Sequence, residues 1–314
     1  MSKCYGGIDL GGSFIKAGLI TESGEVIDSI IVPSNVDAGI PALKNTLRLV
    51  GKRLVEIAAA KGHKIYGIGI GSPGTIKFPQ GIVTGATPNI PDWIGTNISK
   101  IFKNFPCPIS ADNDANCMGL GEAVFGAGKG TMNGFYLTLG TGVGGAIVLN
   151  GTLWRGANFC AGEFGHTLFV HNGKKCKCGR RGCLEAYVAA PALVKEAKIS
   201  AAKYPKSLLA IKGMKINPKT IFDAYAKNDK AAKLAVENNA AMVGTAIGSM
   251  VNMLNPEIVV IGGGLSQAND KYIDLIRNGV LNFAFESTTS KLKIERARFG
   301  NEAGWIGAAC LNIA

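Results

Sequence analysis

The sequence predicts an α/β fold of two lobes with a ligand held between them. Three observations carry that expectation. The chain is 314 residues long and 47% hydrophobic, enough for two cores. Each half opens on a strand, a glycine turn and a second strand: "YGGIDLGGSFIKAGLITESGEV" near the start and "NGFYLTLGTGVGGAIVLNGTLW" from 133 to 154. Helix-period segments follow both openings, so the halves read as an internal duplication whose ligand lies between them.

In order, residues 4 to 10 alternate into a strand, "GG" makes a turn, and residues 13 to 20 form a second strand. "ESGE" then turns the chain into a third strand at 25 to 32, completing a meander. Leu43, Leu47, Val50, Leu54 and Ile57 recur at three- and four-residue spacings, which predicts a helix from Pro41 to Ala60. A strand over 64 to 71 follows. Beyond it, Pro73, Pro79, Pro88 and Pro91 argue for loops, and so long a loop stretch points to function. In "ADNDANCMGLGEAVFGAG" one of Asp112, Asn113 and Asp114 is expected to cap a helix. Asn150-Gly151 is a hairpin signal in the second meander. Helices fill much of 185 to 254, and "PEIVVIGGGLS" is a buried strand running into three glycines before another helix. The expected lobes are 1–118, rejoined by a C-terminal helix over 302–314, and 119–301.

Composition narrows the classes. No apolar run approaches the roughly 18 to 20 residues that cross a bilayer, and "MSKCYGGIDL" lacks a signal pattern, so a cytoplasmic protein without a membrane partner is expected. Eight cysteines in a chain this long do not make a disulfide scaffold. Cys4, Cys107, Cys117, Cys160 and Cys310 read as small core residues. The formal charge of +12 raises the question of nucleic acid, but the lysines are spread along the chain. The one tight basic cluster, "GKKCKCGRR", coincides with cysteines and reads as a solvated face. The meander begins near residue 5, which leaves little room for a DNA-reading segment ahead of it; no nucleic-acid partner is expected.

"GIGSPG" and "GTGVGG" both match a dinucleotide-binding pattern, yet that motif needs a strand before it and a helix after it. The first runs on into "TIKFPQG" and the second into an apolar strand. Glycines in a hairpin turn have another use: their backbone N–H groups can approach a phosphate closely. One such turn is most simply a turn that needs positive φ. Two at matching places, plus "GGG" after a buried strand, favour phosphate binding.

"IDLGGSFIKAG" (8 to 18), "LGTGVGGAI" (139 to 147) and "VVIGGGLS" (259 to 266) resemble the phosphate-1, phosphate-2 and adenosine segments of the actin, Hsp70 and sugar-kinase superfamily. "DNDANC" (112 to 117), "GEFGH" (162 to 166) and "CKCGRRGCLE" (176 to 185) are similar more narrowly to the ROK family of repressors, open reading frames and kinases. Ser13 keeps the hydroxyl of the family's usual Thr, and Phe14 stands where Asn or Lys is common. The resemblance implies an actin-like ATPase (RNase H-like) fold with a ligand cleft between lobes and a structural zinc loop. It implies ATP bound as its Mg²⁺ complex through Asp9, Gly11, Gly12, Ser13, Lys16, Gly140, Thr141, Gly142, Gly144, Gly262, Gly263 and Gly264. Asp9 would help hold the Mg²⁺ through water, although a plain turn aspartate is the competing reading.

The same resemblance makes Asp114 the acceptor of the proton from the hydroxyl being phosphorylated, and places Asn113 on the sugar hydroxyls. Phosphoryl transfer proceeds through a loose transition state, so its nucleophile needs orientation and a nearby acceptor more than a strong base. A helix dipole at this position would keep Asp114 ionised. Gly74, Thr87 and Asn89 match segments that close over the sugar from the first lobe.

Cys176, Cys178 and Cys183, with His166 ten residues upstream, supply four ligands suited to tetrahedral Zn²⁺, and with no open position the site reads as structural. C-x-C lacks the spacing of thioredoxin-like redox pairs, and a nucleic-acid finger would need a second Cys/His pair. Glu163 and Glu185 flank the metal loop, and in ROK kinases the matching glutamates and histidine contact the sugar ring. The reading is an ATP-dependent hexose 6-kinase, with glucose ahead of N-acetylmannosamine, N-acetylglucosamine and fructose, and a homodimer or tetramer as the family implies. A sugar-responsive repressor or silent sugar sensor of the same family is the rival.

Overall fold

A computed structural model of the chain describes residues 2–85, 87 and 89–313; Pro88 of the predicted loop stretch lies outside the described residues. In chain order the strands and helices are β1 (Ser2–Leu10), β2 (Phe14–Thr21), β3 (Val26–Pro33), α1 (Ile40–Ala60), β4 (His63–Ser72), β5 (Ile76–Lys77), β6 (Ile82–Val83), α2 (Ile98–Ile101), β7 (Ile109–Asn113) and α3 (Asp114–Val124). Then follow β8 (Gly134–Leu139), β9 (Val143–Leu149), β10 (Thr152–Leu153), α4 (Glu185–Val188), α5 (Ala190–Lys203), α6 (Pro218–Ala226), α7 (Lys230–Leu254), β11 (Ile258–Gly262), α8 (Asp270–Phe283), α9 (Glu286–Thr289), β12 (Lys293–Arg296) and α10 (Ala303–Cys310). The first meander, the long helix α1 and strand β4 fall where hydrophobic periodicity put them. The C-terminal helix is shorter than expected: a 3₁₀ turn covers Gly300–Glu302 and α10 ends at Cys310.

Both large sheets share one plan. The first has strand order β3-β2-β1-β4-β7 and the second β10-β9-β8-β11-β12, so each consists of a three-strand opening followed by two further strands on one side. In the first, β1 pairs antiparallel with β2 and parallel with β4; in the second, β11 is parallel to both β8 and β12. This repeat is the duplication expected from the two glycine-turn openings. β7 and β12 escaped sequence reading because each has only four or five residues and no clean alternation.

The chain divides into two compact units, 1–132 with 146–162 and 301–314, and 133–145 with 163–300. β9 runs across the division. In unit one the core lies between the sheet and α1, where Leu43, Leu47 and Leu54 meet Ile8, Leu10 and Ile68. On the other face α10 lies directly on the strands. Gly7 and Gly69 permit that approach, since a Cβ at either would run into the Trp305 or Ala308 carbonyl. In unit two, α7 is buried along most of its length and packs on α8, α5 and α6. Among the described residues no helix is long and apolar enough to cross a membrane. Cys4, Cys117 and Cys310 are buried and Cys107 is half-buried, as core residues should be, but Cys160 is exposed. It sits in the connection after β10, where its sulfur lies 3.5 Å from Thr75 Oγ1, a position that local apolar context could not disclose.

Candidate functional site

Unit one brings its polar residues together at strand ends and one helix start. Asp9 is the penultimate residue of β1, and the β1–β2 turn closes with the Gly11 amide donating to the Phe14 carbonyl at 3.0 Å. Neither Gly11 nor Gly12 has positive φ, so the turn itself does not require their left-handed freedom. Gly12 and Ser13 are exposed, and Ser34 holds both of their carbonyls, Oγ donating to Gly12 and N–H to Ser13. Lys16 Nζ donates to the Asn301 carbonyl at 3.2 Å. Asn89 packs on Gly12, and Thr87 lies beside Gly74, whose positive φ does require glycine.

The helix start resolves which of three residues caps α3. Asn113 Oδ1 accepts from the Ala115 and Asn116 amides at 2.9 and 3.2 Å, so Asn113 is the N-cap. Its side-chain amide also donates to the Gly74 carbonyl at 3.1 Å, which ties the sugar-loop candidate to the helix and leaves one amide hydrogen uncommitted. Asp114 is the first residue of the helix, with Oδ1 accepting from the Ala115 amide at 2.9 Å. The helix dipole does not have the last word on its titration. Burial pushes the Asp114 carboxyl above its ordinary range and outweighs the hydrogen bonds that pull it down. Burial, then the charge of Asp114, push Asp9 up to about 6 against the opposing pull of Lys16. Both carboxyls are thus shifted toward holding a proton, and the charge of Asp114 acts on Asp9.

Arg155, which no motif signalled, joins this cluster through Asp112. Asp112, 1% exposed, accepts from the Arg155 Nε–H at 2.6 Å, and the guanidinium lies 3.8 Å from the Phe78 ring centre. The partners are 43 residues apart, so no local spacing could reveal the pair.

Unit two builds its site from loops. The ligand atoms of His166, Cys176, Cys178 and Cys183 all lie within 4.8 Å of one another. Cys178 and Cys183 sulfurs are 3.6 Å apart, and Cys176 sulfur is 3.8 Å from His166 Nδ1. Ligands about 2.3 Å from a tetrahedral metal sit roughly 3.8 Å from each other, close to the two separations of 3.6 and 3.8 Å seen here, so the four residues suit such an ion. Nδ1 faces the sulfurs, and Nε2 lies 4.0 Å from Glu163 Oε2 on the other side of the ring. Glu185, at the start of α4, spans two features: its Oε2 accepts from the Val143 amide at 3.0 Å, and Oε1 lies 3.7 Å from Cys176 sulfur. The β8–β9 turn is therefore strapped to the metal loop.

That turn also reaches a cavity of about 540 Å³ lined by Gly140, Thr141, Ala190, Pro218, Lys219, Phe222, Asp223, Gly264, Leu265, Gln267 and Ala268. Of the predicted nucleotide residues on this unit, Gly140, Thr141 and Gly264 form its walls, whereas Gly142, Gly144, Gly262 and Gly263 do not. Gly140 and Gly264 have ordinary φ, and a Cβ on either would meet nothing within 4 Å. Their bareness therefore answers no close contact within the fold and leaves the cavity wall clear at both positions. Gly142 answers a different demand, because a Cβ there would sit 2.7 Å from Glu185 Oε2. Pro218, Phe222 and Gln267 join the cavity through the folding of α6 and the β11–α8 loop, with no signal in the sequence.

Comparison with known proteins agrees with these features. A family model of the ROK family matches residues 5–314. The glucokinase of Halalkalibacterium halodurans is 37% identical over 315 residues, covering 98% of this chain and 94% of that protein. The xylose repressor of Caldicellulosiruptor bescii is 30% identical over 311 residues, covering 98% of this chain but 77% of the repressor. A solved ROK family glucokinase from Streptomyces griseus, in complex with glucose and AMPPNP, superposes with a TM-score of 0.82 at 30% identity over 98% of each chain. A match that runs from residue 5 to the last residue, through both sheets and both sets of polar groups, places this chain in the ROK family.

Proposed function

We propose that the chain is an ATP-dependent hexose kinase that phosphorylates the 6-hydroxyl of glucose. The observation that supports this best is Asp114, a half-buried side chain whose carboxyl has raised proton affinity, fixed at a helix start beside the N-cap Asn113. As the sugar oxygen attacks the γ-phosphorus and the bond to the leaving ADP oxygen breaks, Asp114 accepts the hydroxyl proton. Asn113 keeps one amide hydrogen for a sugar oxygen, and Glu163, His166 and Glu185 offer acceptors and a donor for the ring hydroxyls. The bare walls at Gly140 and Gly264 suit a nucleotide in the unit-two cavity. Three sulfurs and one imidazole favour Zn²⁺, which when bound would fix His166 as its Nε2–H tautomer and so turn a donor toward Glu163 and the sugar. A Mg²⁺ ion on the phosphates would relieve the protonation pressure on Asp9, whose carboxylate would hold it through water.

The competing reading is a sugar-binding repressor, favoured by the similarity to the xylose repressor. A repressor needs the sugar contacts but has no use for a proton acceptor at Asp114. A coupled ADP-release assay over a panel of hexoses separates the two. Turnover with glucose above N-acetylmannosamine, N-acetylglucosamine and fructose is expected. Sugar binding without turnover of ATP on any hexose would favour the repressor, and preference for an acetylated sugar would reassign the substrate.

A further inference from the structure

The Arg155–Asp112 pair is the feature of unit one that the phosphoryl-transfer reading leaves without work. Asp112 is the penultimate residue of β7, two residues before Asp114, and is buried. Its Oδ2 accepts from Arg155 Nε–H at 2.6 Å. Its Oδ1 accepts from the Asn113 amide at 2.7 Å and from Asn116 Nδ2 at 3.1 Å. Asn113 in turn accepts from the Ala115 and Asn116 amides. The amides of Asn113 and Ala115, the residues flanking Asp114, are therefore tied, directly or through Asn113, to a carboxylate whose charge partner among the described residues is Arg155. The guanidinium lies over the Phe78 ring, 3.8 Å from its centre, and the Arg155 side chain is 17% exposed.

A buried ion pair seldom stabilises a fold better than an apolar pair of the same size. What it supplies is direction, because a planar guanidinium stacked on an aromatic ring holds its partner in one orientation. Charge balance points the same way. Asp9, Asp112 and Asp114 all act on the buried Cys117 thiol, and Arg155 is the group that opposes them there.

We propose that Arg155 is a positioning residue for phosphoryl transfer: by orienting Asp112 it sets the first turn of α3 and thereby aims Asp114 at the sugar hydroxyl. The proposal rests on the reading of Asp114 as the proton acceptor. Lysine at this position would keep the charge but lose the planar stacking on Phe78, so it restores function only in part.

The test uses the full-length protein as wild type, Arg155→Met, Arg155→Lys, and Arg155→Met combined with Asp112→Asn. Steady-state kinetics and amide hydrogen exchange are measured on each. For Arg155→Met, kcat is expected to fall about 100-fold while the hexose KM stays within about threefold, as misaimed groups lose rate more than binding. Exchange at the Ala115 and Asn116 amides should rise about tenfold, with α1 unchanged. Arg155→Lys should return kcat to within about tenfold of wild type. If Arg155→Met does not fold cooperatively, the double variant, which leaves no lone buried charge, carries the same measurements. Unchanged exchange at Ala115 and Asn116, or a kcat that falls only in proportion to the folded fraction with KM unchanged, would overturn the proposal. A wild type that turns over no hexose would sink the kinase reading instead, and exchange at the start of α3 would still decide whether Arg155 sets that turn.

Discussion

The two units hold their polar groups by different means. In unit one, Asp9, Asp112, Asn113 and Asp114 stand at the ends of β1 and β7 and the start of α3, so sheet and helix backbone place them. In unit two, Glu163, His166 and the three cysteines stand in the irregular chain between β10 and α4, where one short 3₁₀ turn is the regular structure. Element ends position a group through a hydrogen-bonded scaffold that exists before any ligand arrives. Loops of that length gain from a staple, and the His166–Cys176–Cys178–Cys183 cluster is a set of ligands that could hold one metal ion. The cost of the first method is electrostatic, since burial drives both carboxyls toward protonation. The cost of the second would be dependence on an ion.

The sharpest challenge to this contrast is Asp114→Asn. With the scaffold intact, kcat should fall about 10²- to 10⁴-fold while hexose affinity is largely kept. A fully active variant would remove Asp114 as the acceptor.

Asp9→Asn tests the electrostatic cost. Below about pH 4 both the folded and unfolded chains hold the Asp9 proton, and no penalty arises. Between there and about pH 6 only the folded chain keeps it, and above about 6 the fold carries a buried carboxylate. Stability from this group is thus present in acid and lost as pH rises through its folded value. The amide should therefore raise stability at pH 7 by about 3 kcal/mol, a gain that vanishes toward pH 4. Equal denaturant midpoints at pH 7 would refute the burial argument.

Stripping the metal with a chelator, or Cys183→Ser, probes the other method. Hexose affinity is expected to weaken about 10- to 100-fold, with faster amide exchange over 163–185 and none at the start of α3. Loosening of both regions together would show that the contrast between units is false. The smallest effect belongs to Gly264→Val, placed where a side chain meets open cavity. Unfolding should shift by no more than about 0.5 kcal/mol while the ATP KM rises about tenfold. An unchanged KM would move the nucleotide elsewhere.

The glycine turns show how far local reading could reach. Both hairpins were legible from "GG" and "GTG" between apolar runs, yet the reason for each glycine was not. Positive φ explains none of Gly11, Gly12, Gly140 and Gly142. Gly142 is bare because Glu185 lies over it, and Gly140 because the cavity does. The titration of Asp114 shows the same limit: the helix dipole is a property of one helix, while the burial that pushes its carboxyl up is a property of everything packed around it.

The sequence by itself determined the repeated meander, the long helix α1, the cap at the start of α3 to within three residues, and the Cys₃His cluster. Each rests on side-chain periodicity or on ligands within a span of eighteen residues. The tertiary structure alone decided that Asn113 is the cap, that Arg155 reaches Asp112, that Glu185 straps the β8–β9 turn to the metal loop, and which way the buried carboxyls titrate. Periodicity and short spacings act through bonds and turns only a few residues long. Burial and distant partners depend on which segments the whole chain closes together, and no window on the sequence contains that information.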